Sequence, residues 1–213
     1  MPDMIPGLEL AGLFYRQAVR PVLQTHYPNL AHSAGLIGPG SEVLGFDDGM
    51  SADHNWGPRV ILYLSEPDHA RLAGDLRQTL AQELPFSFRG YSTHFEPVPG
   101  DPNSAVPAET GSRPINHRVE ITTLPDFLRR YLGTALEGEP AVQDWLTIPE
   151  QKLRSLVAGA VYHDGLNVLG PVRRKLAYYP HDVWLYLLSA QWQRIGQEEP
   201  FVGRTGWVGD EVG

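Results

Sequence analysis

The sequence predicts an α/β fold, a sheet with flanking helices, followed by a helical C-terminal region. Three observations point there. Short apolar runs bounded by turn residues alternate with amphipathic stretches up to about residue 124. Beyond that point apolar residues recur only at helical spacing. Hydrophobic residues make up 42% of the chain and charged residues 20%, which suits a chain that buries a core. The expected division is an α/β domain over 1–124 and a helical domain over 125–213.

Each element follows from its own signal. In 7–24, "GLELAGLFYRQAVRPVLQ", the residues Leu10, Phe14, Val19, Val22 and Leu23 fall at helical spacing, with Pro21 a point of bending. "HSAGLIG" is a short apolar run ending in glycine and reads as a buried strand. "DHNWGPRVILYLS" reads as a second strand, strongest over 60–64. Residues 66–84 are helical, with Pro67 placed for the first turn. "PFSFRGYSTHF" alternates as a strand does. Residues 97–114 are rich in Pro, Gly and Ser without periodicity and predict a long loop or lid. "HRVEITT" is a compact strand. Helices follow near 125–133, 149–162, 170–177 and 181–195. The aromatic run Tyr178, Tyr179, Trp184, Tyr186 and Trp192 reads as core of the helical region before an acceptor-binding platform, with one face able to serve as both.

Composition narrows the function. A formal charge of -8 argues against a surface that grips nucleic acid backbone, so nucleic acid is not an expected partner. There is no cysteine, which removes disulfides, thiolate metal sites and a cysteine nucleophile. The chain starts without a basic segment leading into an apolar run and has no span-length apolar stretch, so a soluble, cytoplasmic protein without membrane contact is expected. The histidines show no zinc-ligand spacing.

The stretch "GPGSEVLGFDDGMSADHNWGPRV" carries the chemistry. Gly40 and Ser41 form a turn that offers backbone N–H groups and a hydroxyl to phosphate, with no Cβ at Gly40 to obstruct approach. Residues 42–52 separate them from Asp53. In a strand, residue 55 shares a face with Asp53, and an acid pair at that spacing can hold Mg2+; here the second position is Asn55. Glu120, between Val119 and Ile121, is a lone carboxylate on a strand and a candidate third ligand. Arg59 suits a bidentate phosphate contact and equally an exposed strand position.

Gly-Ser, a spacer of about ten residues, an Asp-x-acid pair and a later acid on a strand together resemble the nucleotidyltransferase superfamily related to DNA polymerase beta. "DHNWGPRV", "PEQKL", "YHDGL", "YYPHDVWLYLL" and "QWQRIGQEEPFVGR" further resemble a bacterial branch of it catalogued as a domain of unknown function. That resemblance implies a nucleotidyltransferase-type mixed sheet. It also implies two Mg2+ ions held by Asp53, Asn55 and Glu120, and an NTP, ATP first, bound by Gly40, Ser41, Arg59 and Lys152. Lys152 is by default a surface lysine; only the analogy makes it a phosphate contact. The expected reaction moves a nucleoside monophosphate to a hydroxyl acceptor, a small molecule or a protein, with release of pyrophosphate. Members of the branch extend beyond residue 213, so the resemblance implies a helical domain incomplete at its C-terminal end. The branch carries an acid where this chain has Asn55. The alternative expectation is therefore an impaired or non-catalytic nucleotide- or partner-binding protein of the same fold.

Overall fold

The first helical stretch runs unbroken through three segments: α1 (Gly7–Phe14), a wide π turn (Tyr15–Val19) and α2 (Arg20–His26). Pro21 sits in the first turn of α2. A proline ring crowds the carbonyl four residues back and donates no hydrogen bond, and the widened turn in front of it accommodates both effects. The computed structural model describes residues 4–47, 56–136 and 138–198.

Four strands make the central sheet: β1 (His32–Leu36), β2 (Arg59–Leu64), and two that come later in the chain. After β2 come α3 (Glu66–Glu83), the short strands β3 (Ser87–Phe88) and β4 (Tyr91–Ser92), then β5 (Phe95–Val98) and β6 (Asp101–Pro107). The remaining elements are β7 (Arg118–Thr122), α4 (Leu124–Leu132), α5 (Val142–Thr147), α6 (Glu150–Ala158), β8 (Ala160–Asp164), α7 (Leu169–Leu176) and α8 (His181–Glu198). The sheet order is β7-β2-β1-β8, with β2 parallel to β7 and β1 antiparallel to both β2 and β8. It is a mixed sheet with helices on both faces, as the sequence predicts.

Alternation along β2 explains the two layers. Val60, Leu62 and Leu64 pack with Val119 and Ile121 against Phe14, Val19, Leu76 and Leu80 of the early helices. Ile61 and Tyr63 point the other way, into Phe127, Leu153, Leu156 and Leu169 of the later ones. The strands are therefore apolar on both faces, which accounts for the continuous run "VILYL". Two helices begin with the same device. Ser65 and Thr123 accept the backbone N–H of Asp68 and Asp126, with Pro67 and Pro125 in the first turns.

Several expectations are corrected. Residues 160–164, expected at the end of a helix and beyond it, form β8, which joins the sheet beside β1. The helix ends at Ala158, and Gly159 then takes an extended conformation against the β1 edge. A Cβ there would collide with the Leu36 carbonyl. The sheet thus takes a strand from each side of residue 124.

The expected loop 97–114 is in large part the β5–β6 hairpin, turned at Gly100 with φ +85. Its prolines hid it, and they are tolerated because both strands of a two-stranded ribbon are edges. "PFSFRGYSTHF" is a tight hairpin rather than one strand. Arg89 and Gly90 both take positive φ, the geometry of a two-residue turn matched to strand twist. The short helix α5 gave no periodic signal.

Of the aromatic run only Tyr179 packs, half-buried, against the core. Tyr178, Trp184, Tyr186 and Trp192 are exposed, while Val183 and Leu187 supply the inward face of α8. No helix among the described residues is long and apolar enough to cross a membrane.

Candidate functional site

Pairing of β2 with β7 sets the site. Arg59 lies opposite Arg118 and Ile61 opposite Glu120. Period-two alternation then puts Arg59, Arg118 and Glu120 on one face of the sheet. They line a cleft of about 260 Å³ together with Leu36, Pro39 and His117. Glu120 is half-exposed there, and Arg130 from α4 engages its Oε1. The Arg118 guanidinium lies 5.8 Å from the centre of the Phe95 ring. Burial, and after it the charge of Arg59, lowers the Arg118 pKa against the opposite pull of Glu120.

The Gly-Ser turn reaches this cleft through Arg59. Gly40 has φ +134, and a Cβ on it would collide with the Arg59 guanidinium and the Glu42 carboxylate. Only glycine fits both the backbone and the space. Arg59 donates from Nε to Glu42 Oε1 at 2.6 Å and from Nη2 to the Pro39 carbonyl at 2.9 Å. Glu42 is 4% exposed. The residue that sequence reading treats as spacer is thus the anchor of the turn. Ser41 opens a short 3-10 turn ending at Leu44 and is half-buried.

Asp53 and Asn55 lie outside the described residues. The two ends between which they fall are joined: the Trp56 indole N–H donates to Asp47 at 3.3 Å. Asp47 also accepts the Gly7 N–H at the start of α1 at 2.5 Å. Trp56 is buried with its ring edge-on to Tyr91. Gly57, with φ +141, lies against the Phe95 ring, the same ring that Arg118 covers. Arg59, at the cleft, is two residues further on.

Lys152 is not at the cleft. Its ammonium donates to the Tyr131 carbonyl at 2.6 Å and stands 5.4 Å from the centre of the Tyr131 ring. The structure therefore sets Gly40 against Arg59, and Arg59 and Glu120 on one cleft, while Lys152 lies against Tyr131 of α4.

Two further groups stand close by. The Tyr63 hydroxyl is buried and has no hydrogen-bond partner among the described residues. Burial, then the Glu120 charge, holds its pKa well above the usual phenol value. His117 accepts the Val119 N–H on Nδ1 and directs Nε2 to the Arg77 carbonyl, so it is neutral, and burial lowers its pKa. Among the described residues no group of three His, Asp or Glu side chains is placed to hold a metal ion.

Sequence reading missed Glu42, Arg118 and the Asp47–Trp56 closure. Arg118 was within reach, because it sits two residues before Glu120 on a strand and so shares its face. Glu42 carried no local signal; its partner is 17 residues away across the turn.

A family model described as a domain of unknown function (DUF4037) matches residues 145–213, about a third of the chain. The match begins in α5 and includes α6, β8, α7 and α8. The cleft residues between Leu36 and Glu120 precede it. No curated protein and no solved structure matches the chain.

Proposed function

We propose that this chain is a Mg2+-dependent nucleotidyltransferase, moving a nucleoside monophosphate from an NTP, ATP first, to a hydroxyl acceptor that is a small molecule or a protein. One observation carries the reading: the β2–β7 register sets Arg59 and Glu120 on one face of a cleft that the Pro39–Gly40 turn reaches. A phosphate chain needs donors, a close backbone approach and cationic charge. Gly40, Ser41, Arg59 and, newly, Arg118 supply them.

In this reading the acceptor oxygen attacks the α-phosphorus, the bond to pyrophosphate breaks, and Glu120 takes the acceptor's proton. Mg2+, when bound, neutralises phosphate charge and stabilises the leaving pyrophosphate. Asp53, Asn55 and Glu120 would hold it. Glu120 fits as an oxygen ligand open to the cleft, with Arg130 on its Oε1 only. Lys152, committed to Tyr131, has no part unless it swings away from that carbonyl.

A second reading, nucleotide binding without turnover, is favoured by Asn55 and by the Arg130 pairing of Glu120. Calorimetric titration with Mg-ATP tests the binding shared by both. The reading expects saturable binding that Asp53→Ala weakens at least about tenfold, or roughly 1.4 kcal/mol. Absence of any heat from the native chain at millimolar nucleotide contradicts it.

A further inference from the structure

Arg130 occupies Oε1 of Glu120, the carboxylate that the proposed function assigns to a metal ion. The contact crosses elements: Glu120 stands on β7, and Arg130 reaches back to it from α4. The next arginine, Arg129, stays on the helix and pairs with Asp126 three residues away, as surface pairs do. Phe127 and Leu128 anchor α4 in the core. A Cβ at Gly38 would collide with the Phe127 ring, so α4 is also seated at the head of the Pro39–Gly40 turn.

The backbone under Arg130 is thus fixed, while its tip can exchange. The arginine side chain is 61% exposed and the carboxylate 40%. An ion pair this open to water is weak, and a competing ion can take either partner from the other.

The surrounding charge decides which competitor comes first. Arg59 has its counter-charge in Glu42. Glu120 has Arg118 on its own strand face and Arg130 upon it, two guanidinium groups to one carboxylate. A bare divalent cation enters against that surplus, whereas a phosphate chain is drawn in by it. The Arg130 fork suits a phosphate oxygen as well as it suits a carboxylate.

We propose that Arg130 is an autoinhibitory lock on Glu120: it keeps the carboxylate from a divalent cation while the cleft is empty and releases it when a phosphate chain draws the guanidinium away. The proposal rests on the reading of Glu120 as a metal ligand. Metal binding at Glu120 then follows the nucleotide instead of preceding it.

The test uses Mn2+ as probe, titrated into the full 213-residue chain, with the free ion read by electron paramagnetic resonance. Without nucleotide, Arg130→Gln should bind Mn2+ about fivefold more tightly than the native chain, a gain that the loss of a merely structural contact would not give. Arg130→Lys keeps the charge and should stay within twofold of native. Arg129→Gln removes an equal charge one residue away and should also stay within twofold. In a Glu120→Gln background, Arg130→Gln should bring no gain. Preformed Mn-ATP should bind Arg130→Gln no more tightly than the native chain. If Arg130→Gln binds Mn2+ no more tightly than native, or if Arg129→Gln gains as much, the lock is overturned even where Mg-ATP binds. A gain for Mn2+ in a chain that binds no Mn-ATP supports the lock on Glu120 and contradicts the nucleotide reading instead.

Discussion

Arg59 and Glu42 form a buried ion pair, Nε to Oε1 at 2.6 Å, that fixes the Gly40–Ser41 turn against the first residue of β2. The guanidinium is 15% exposed and the carboxylate 4%. Removing one member of a buried pair leaves the other charge desolvated and alone, which typically costs about 3–5 kcal/mol. Glu42→Gln should therefore lower stability by about 3 kcal/mol in urea denaturation. The double variant Glu42→Gln with Arg59→Leu should recover at least half of that, because it removes the orphaned charge. A loss below about 1 kcal/mol in the single variant would mean that the pair does not hold the turn.

Gly40→Ala should cost about 2 kcal/mol or more, since the methyl group enters space held by the Arg59 guanidinium and the backbone sits at φ +134. Gly45→Ala is the control: φ is +74 but nothing lies within 4 Å, so only the left-handed backbone is charged against it, about 1 kcal/mol. Equal losses in thermal melts would remove the steric argument.

Acid should weaken the fold through His32 and His117. His32 lies between the Tyr15 hydroxyl, 2.9 Å from Nε2, and the Leu30 carbonyl, 3.0 Å from Nδ1. Burial, and to a lesser degree the neighbouring His163 and Arg20, lowers its pKa against the pull of the Leu30 carbonyl. Burial does the same at His117. Both bind a proton more readily unfolded than folded. Stability is then level above the unfolded value of 6.5 and falls as pH drops below it, until each native pKa is passed. His32→Gln should flatten the decline in melting temperature between pH 7.5 and 5.5. An unchanged slope would argue against His32 as a contributor.

Asp164 ties β8 to β1 and to the start of α7. Its carboxylate accepts the Ser33 hydroxyl at 2.7 Å and the N–H groups of Val168, Leu169 and Gly170. Burial alone would raise its pKa, but these donors outweigh it and hold the group below the usual carboxylate range. Asp164→Ala should cost about 2 kcal/mol, the loss of a helix cap plus an orphaned Ser33 hydroxyl. Hydrogen exchange should show the α7 amides opening first. Protection unchanged at Val168 to Gly170 would contradict the assignment.

The sequence carried the sheet well where strands were apolar on both faces, as in "VILYL" and "HSAGL". It failed at β8, because "AVYHDG" follows a helix directly and its partially buried residues show neither alternation nor an apolar run. It failed at β5 and β6, where prolines argue against strands unless the ribbon is known to have two edges. The aromatic run, Tyr179 apart, misled for another reason. Helical spacing fixes which residues share a face of α8 but not which face the core takes, and Val183 and Leu187 took it. At the cleft, Gly40, Arg59 and Glu120 were legible as types and positions. That they converge depends on the parallel register of β2 and β7, set by contacts no local pattern contains.

The most direct test of nucleotidyl transfer is pyrophosphate release at saturating Mg2+ with ATP and a panel of hydroxyl acceptors. On the proposed reading, residue 55 stands with Asp53 and Glu120 around the metals, and Asn55 withholds a charge that an acid would supply. Asn55→Asp changes charge with little change in size. The account predicts slow release from the native chain, an increase of at least about 100-fold in Asn55→Asp, or roughly 2.7 kcal/mol of barrier, and loss of release in Asp53→Ala. Release no faster from Asn55→Asp than from Asp53→Ala, with every acceptor tried, would contradict it.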